Sequence, residues 1–126
     1  MKTLHKTFRI NAPITRVWQA LTDPKYIAKW GAGPAKMHTT TGTAFTLWGG
    51  DIWGKNIMVD APNKLAQEWY AGAWETPSIL TLALHEKAGA TIITLLHSNI
   101  PDHEAADIDE GWTAYYFGPM KAFLEG

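Results

Sequence analysis

The feature that most constrains this chain is a change of hydrophobic period at Ile100-Pro101. Upstream, from about Thr43, apolar residues recur at every second position in short runs divided by turn residues. Downstream, Ile108, Trp112, Tyr115, Tyr116, Pro119, Met120 and Phe123 recur at helical spacing on one face. A run of half-apolar antiparallel strands needs its apolar face covered, and one long amphipathic helix can cover it. A bent sheet around a single helix leaves a gap between the two layers, and gaps of that kind take small apolar ligands.

The elements can be placed from local signals. Leu4 to Ile10 alternates, with Leu4, Phe8 and Ile10 on one side, and reads as a strand. Asn11-Ala12-Pro13 ends it, and Pro13 to Leu21 reads as a short helix. Asp23-Pro24 opens a second helix carrying Tyr26, Ile27 and Trp30, which Gly31-Ala32-Gly33-Pro34 stops. Strands are expected over Thr43 to Trp48, Ile52 to Val59, Leu65 to Ala71, Ser78 to Glu86 and Thr91 to Ser98. Gly49-Gly50 and Ala88-Gly89 mark hairpin turns. Asp102, Glu104, Asp107, Asp109 and Glu110 crowd the start of the last helix and Lys121 lies near its end, as the helix dipole favours. Gly118-Pro119 predicts a kink in that helix, because proline lacks the amide donor and crowds the preceding turn.

Composition narrows the function classes. A chain of 126 residues suits one domain over 1–126 and buries enough surface to fold without a metal or disulfide staple. It has no cysteine, which removes disulfides, thiolate nucleophiles and cysteine-ligated metals. Eleven Lys and Arg against twelve Asp and Glu give a net charge of -1, with no basic stripe of the kind that binds nucleic acid. No apolar run reaches the ~18 residues of a membrane span, and residues 1–13 lack the apolar run of a signal peptide. The expectation is a soluble, cytoplasmic domain. The pattern specifies no oligomeric state.

Two stretches carry a family likeness. The segment APITRVWQALTDPKYIAKW resembles the opening of the START-like superfamily. The succession GTAFTLWGGDIWG, KLAQEW, SNIP and GWTAYYFGPMKAFLEG resembles the C-terminal domain of the activator of heat-shock protein 90 ATPase, the Aha-type family. The resemblance covers nearly the whole chain, and the stretch from Gly111 to Phe117 is its most specific part. It implies an α+β helix-grip fold: a curved antiparallel sheet wrapped around a long C-terminal helix, with two short helices after the first strand. No counterpart of the family's N-terminal docking domain is expected in this chain, and Pro119 departs from the usual helix. The implied roles are a module that binds a small hydrophobic molecule, a chaperone-contacting domain, or a polyketide cyclase-like enzyme.

The candidate residues follow from the strand faces. If Ala88-Gly89 is the hairpin tip, Leu84 pairs with Ile93, Leu82 with Leu95 and Leu80 with His97, all on the helix side. His97 is then a polar anchor at the cavity rim, or a histidine held by backbone or water. The hairpin at Gly49-Gly50 puts Phe45, Leu47, Asn56 and Met58 on the same inner face, unless a register change substitutes Ile57 for Met58. Asn56 there must find hydrogen-bond partners. Trp69, Trp112, Tyr116 and Met120 complete the expected ligand-binding wall. Trp48 and Trp53 flank the glycines on the outer face, and a four-residue loop would make them a cross-strand pair and a protein-contact patch.

Catalytic and metal signals are weak. His5, His38, His85, His97 and His103 show no metal-ligand spacing. Ser98 follows His97, but neighbouring strand residues point to opposite faces, so they make no nucleophile–base pair. For acid–base chemistry on a cavity-bound substrate, Arg9, His38 or His97 would be the candidates. No catalytic residue, metal or cofactor is assigned.

Overall fold

A computed structural model describes residues 1–126. Strand β1 (Lys2–Ile10) leads into helices α1 (Ile14–Thr22) and α2 (Pro24–Trp30). Strands β2 (Ala44–Leu47), β3 (Ile52–Asp60), β4 (Lys64–Ala71), β5 (Ser78–Lys87) and β6 (Ala90–Ile100) follow. A C-terminal helical rod then runs through α3 (Ala105–Gly111), a π-helical segment (Trp112–Phe117) and α4 (Gly118–Glu125). The strands form one antiparallel sheet of six in the order β1-β6-β5-β4-β3-β2. This is the α+β helix-grip architecture, with the rod lying across the curved sheet.

Local chemistry explains the boundaries. The Asp23 carboxylate accepts the Lys25 amide at 2.9 Å and Pro24 fills the first turn, so α2 starts there. Gly31, at φ 119°, ends it in the left-handed region. Ala88 and Gly89, both at positive φ, make the two-residue turn that sets Lys87 opposite Ala90. From that turn the register runs as the sequence predicts: Leu84 faces Ile93, Leu82 faces Leu95 and Leu80 faces His97.

Three local expectations are corrected. In β3, Asn56 faces Gln67 but Met58 faces Ala66, so Ile57 is an extra, bulged residue. The bulge reverses the alternation: Met58 is 43% exposed and Ile57 is also exposed, while Val59 packs on the core. Neither Met58 nor Ile57 belongs to the inner wall. The β2–β3 connection comprises Trp48, Gly49, Gly50 and Asp51, with Leu47 opposite Ile52 and Thr46 opposite Trp53. Trp48 and Trp53 are therefore not a cross-strand pair. Trp48 leaves the strand at φ 49° and its amide bonds the Ala32 carbonyl.

The third correction concerns the last helix. Just before Gly118-Pro119, where the sequence predicts a kink, the chain widens into a π turn in which the Gly118 amide reaches the Thr113 carbonyl. A Cβ on Gly118 would lie 2.2 Å from that carbonyl oxygen, so the turn requires glycine. The inserted residue rotates the apolar face. Phe117 becomes buried and stacks on Phe8 at 4.5 Å, while Tyr115, expected inside, is 69% exposed.

The bulge register has a measurable consequence. Met58→Ser should change unfolding stability by no more than about 0.5 kcal/mol, whereas Leu82→Ala should lose about 2–5 kcal/mol. Urea denaturation of the two variants checks this, and comparable losses would contradict the bulge.

Candidate functional site

The aromatic residues of the inner face converge on Trp69. Its ring lies 4.9 Å from Trp112, 6.3 Å from Tyr116, 6.4 Å from Phe45 and 5.4 Å from His97. Trp69 and Ser78 are paired across β4 and β5, and Gly54 lies opposite Trp69 on β3. Phe45 packs over Gly54, where an added Cβ would meet the Glu68 carbonyl oxygen at 1.8 Å. The missing side chain lets the two large rings approach the sheet.

A chain of buried polar groups runs beneath these rings. The Trp69 indole N–H donates to Gln67 Oε1 at 2.8 Å, and Gln67 Nε2 donates to Asn56 Oδ1 at 2.8 Å. Asn56 Nδ2 in turn donates to the His38 carbonyl at 3.0 Å. Asn56 and Gln67 are fully enclosed, and no buried side-chain nitrogen or oxygen lacks a partner. The sequence predicted Asn56 on the inner face but gave no role to Gln67. Register supplies the missing signal: Gln67 lies opposite both Asn56 and Leu80, so it shares their face.

His97 lies in the middle of a second chain. The Trp112 indole N–H donates to His97 Nδ1 at 3.1 Å, and His97 Nε2 meets Ser78 Oγ at 2.7 Å. An indole nitrogen can only donate, so Nδ1 must be the unprotonated nitrogen and Nε2 carries the hydrogen. His97 therefore donates to Ser78, whose hydroxyl donates on to the Trp69 carbonyl at 3.4 Å. In this arrangement the imidazole withdraws no proton from the serine, so Ser78 is not an activated nucleophile. Burial lowers the His97 pKa to about 4.

An open cleft of about 370 Å³ lies above this floor, between the β2–β3 turn and the C-terminal rod. Trp48, Trp69, Trp112 and Tyr116 form its aromatic wall. Asp51 and Ile52 enter from the turn side, and Asp107, Ile108, Gly111 and Tyr115 from the rod. Trp48 also packs edge-on to Tyr116 at 6.2 Å. The sequence suggested a gap between the sheet and the helix; the space found is an open cleft between the β2–β3 turn and the rod.

The sequence-predicted residues thus divide. Trp48, Trp69, Trp112 and Tyr116 meet at the cleft. Phe45, Leu47, Leu82, Leu84, Ile93, Leu95 and Met120 are packed core and do not line it. Asn56 and His97 sit behind the wall in the polar chains. Trp53 lies on the outer sheet face, stacked on Tyr70 at 5.9 Å. The Trp30 indole N–H bonds the Ala20 carbonyl at 2.8 Å and ties α2 to α1. Trp74 donates to the Glu104 carboxylate, pinning the β4–β5 loop to the start of the rod.

The fold and motifs have relatives. The model of the Activator of Hsp90 ATPase homolog 1-like protein family matches residues 11–125. The mouse activator of 90 kDa heat shock protein ATPase homolog 1 is 24% identical over 121 residues, 94% of this chain and 35% of that protein. An uncharacterized protein of Schizosaccharomyces pombe is 22% identical over 120 residues, 94% of this chain and 36% of that one. The chain spans about a third of the length of these curated relatives. An Hsp90 activator from Plasmodium falciparum superposes with a TM-score of 0.89 at 22% identity, covering 99% of this chain and 97% of that one. CalU16 from Micromonospora echinospora gives 0.85 at 24% identity, over 97% and 75% of the two chains. The Aha1 dimer from Colwellia psychrerythraea gives 0.84 at 20% identity, over 99% and 97%. At these identities the structural likeness is one of fold.

The neutral, buried His97 makes stability depend on acid. Its pKa is about 4 in the folded state against 6.5 in the open chain, so the unfolded chain takes up the extra proton between those values. Stability is full above pH 6.5 and falls towards pH 4, by roughly 3 kcal/mol in all from this group. His97→Gln keeps a donor and an acceptor but does not titrate. Denaturant unfolding from pH 7 to pH 4.5 should show a flatter decline for this variant, and equal slopes would refute the assignment.

Proposed function

The chain belongs to the Activator of Hsp90 ATPase homolog 1-like family, and we propose that it binds a small, largely apolar molecule in the cleft between the β2–β3 turn and the C-terminal rod. The observation that carries this reading is the cleft itself. About 370 Å³ of space lined by Trp48, Trp69, Trp112 and Tyr116 falls in the range of small-molecule sites. The polar chains behind the wall hold the rings in place, so the site is largely preformed and little ordering cost opposes binding. No side chain that the geometry activates as a nucleophile lies in the cleft, which favours holding over chemistry.

Gly111 provides the test. A Cβ there meets only the Tyr115 ring at 3.8 Å, and the residue is helical, so Gly111→Leu fills the cleft while improving helix propensity. A neutral apolar fluorophore such as phenylnaphthylamine should bind the parent protein at one per chain and quench its tryptophan emission. Gly111→Leu should weaken binding by at least about tenfold, roughly 1.4 kcal/mol, with an unchanged or higher melting temperature. Equal binding by parent and variant would remove the site from this cleft.

A second reading, contact with a chaperone, has its own observation. Trp53, 37% exposed, stacks on Tyr70 on the outer sheet face, with Met58 also exposed farther along β3. Such an aromatic patch suits a protein partner, and the mouse and Plasmodium relatives are named as activators of heat-shock protein 90. In a pull-down with that chaperone, Trp53→Ala should reduce capture while Gly111→Leu should not. Absence of capture by the parent protein would remove this reading.

A further inference from the structure

We infer that the cleft selects an organic cation, an ammonium group carried on an apolar tail, over neutral and anionic ligands of the same shape. The inference rests on the proposed ligand-binding role of the cleft and specifies the charge of what enters it.

Three independent observations point to a cation. The first is the wall. Five aromatic residues line one space: the buried Trp69, Trp112 and Tyr116 at its back, and the more accessible Trp48 and Tyr115. Aromatic faces carry negative potential, and several rings around one volume form the kind of cage that attracts ammonium groups. The chain's own cations do not fill it: Lys6 lies over Phe8 and Lys29 over Tyr26, both outside the cleft.

The second is charge. Asp51 on the β2–β3 turn and Asp107 on α3 stand on the two elements that bound the cleft, and no Lys, Arg or His lines it. The chain's ion pairs lie elsewhere: Lys6 with Asp109, Lys121 with Glu125, His103 with Glu104, and the terminal ammonium with Asp102. Asp51 and Asp107 are both exposed and take no side-chain partner, so their field is available to a ligand.

The third is Tyr116. It is only 3% exposed, and its hydroxyl takes no hydrogen bond from the protein. No side-chain polar atom of this chain is sealed off without a partner, and Tyr116 lines the cleft. A neutral phenol oxygen there can accept an N–H from a protonated amine. The neighbouring indoles cannot, since they only donate and both Trp69 and Trp112 are already committed, to Gln67 and His97. An anion would face two carboxylates and the π faces, with only neutral donors, the Trp48 indole N–H and the Tyr115 and Tyr116 hydroxyls, left to it.

The experiment uses the whole chain and three ligands of equal length: decyltrimethylammonium, decanol and decanoate, each below its micelle-forming or solubility limit. Each displaces bound phenylnaphthylamine at pH 7. The cation should compete about tenfold better than the alcohol, and the alcohol better than the carboxylate. In the Asp51→Asn, Asp107→Asn double variant the cation's advantage over the alcohol should shrink to about threefold or less, the rings alone remaining. Both aspartates are exposed and unpaired, so an unchanged melting temperature is expected. Equal competition by all three ligands would overturn the charge selection while leaving an apolar site intact. Failure of the neutral probe to bind at all would overturn both this inference and the ligand-binding role beneath it.

Discussion

An indole buried among other rings cannot leave its N–H unpaired, and the inner face of this sheet is arranged around that constraint at Trp69. Its partner Gln67 must lie on the same face of β4, two residues away. Gln67 then needs a partner of its own, which Asn56 supplies from β3, and Asn56 is closed off by the His38 carbonyl in the segment between α2 and β2. One aromatic donor thereby links two strands and a loop. Each buried amide would cost on the order of 1–3 kcal/mol if left unpaired. The same indole forms the floor of the cleft, so the polar chain beneath the sheet's apolar surface also sets the shape of the site above it.

The π turn acts on the opposite wall. It brings Phe117 onto Phe8 of β1 while Trp112 and Tyr116 still face Trp69. A regular helix through Pro119 would lose an amide bond and crowd the preceding carbonyl. The wider turn accommodates the proline and redirects the residues before it. The departure from helix regularity falls on the segment that builds the cleft, consistent with the tendency of π turns to occur at functional positions.

Much of this was legible in the sequence. Alternation gave the strands, and the Ala88-Gly89 turn gave the β5–β6 register, which placed Leu80, Leu82, Leu84, Ile93, Leu95 and His97 together. Two of the misses depend on a single inserted residue, and a third on the register of the β2–β3 turn. The bulge at Ile57 turns Met58 outward, the exit of Trp48 from β2 separates it from Trp53, and the π turn exchanges Tyr115 for Phe117. Periodicity counts residues and has no term for an extra one, whereas the three-dimensional pairing shows each insertion directly. The Ser78–His97 contact was missed for a different reason. Ser98, next in sequence, drew the comparison, while the serine that bonds His97 lies on the neighbouring strand. The site was only partly readable, because a cleft between a turn and a helix is made by their separation in space and leaves no pattern along the chain.

The strand order has a consequence for how the molecule assembles in time. β1 pairs with β6, so Lys2 meets Ile100 and Ile10 meets Thr91. The loop between them must close before that ladder forms, and contacts so distant along the chain slow folding. During synthesis β1 can find its place only after β6, the last of the strands, has been made. Until then β1 has no strand beside it, and its unpaired amides and carbonyls are open to a neighbouring chain. The adhesive stage in the life of this protein is therefore expected to be the nascent one, before the first-made strand docks beside the last.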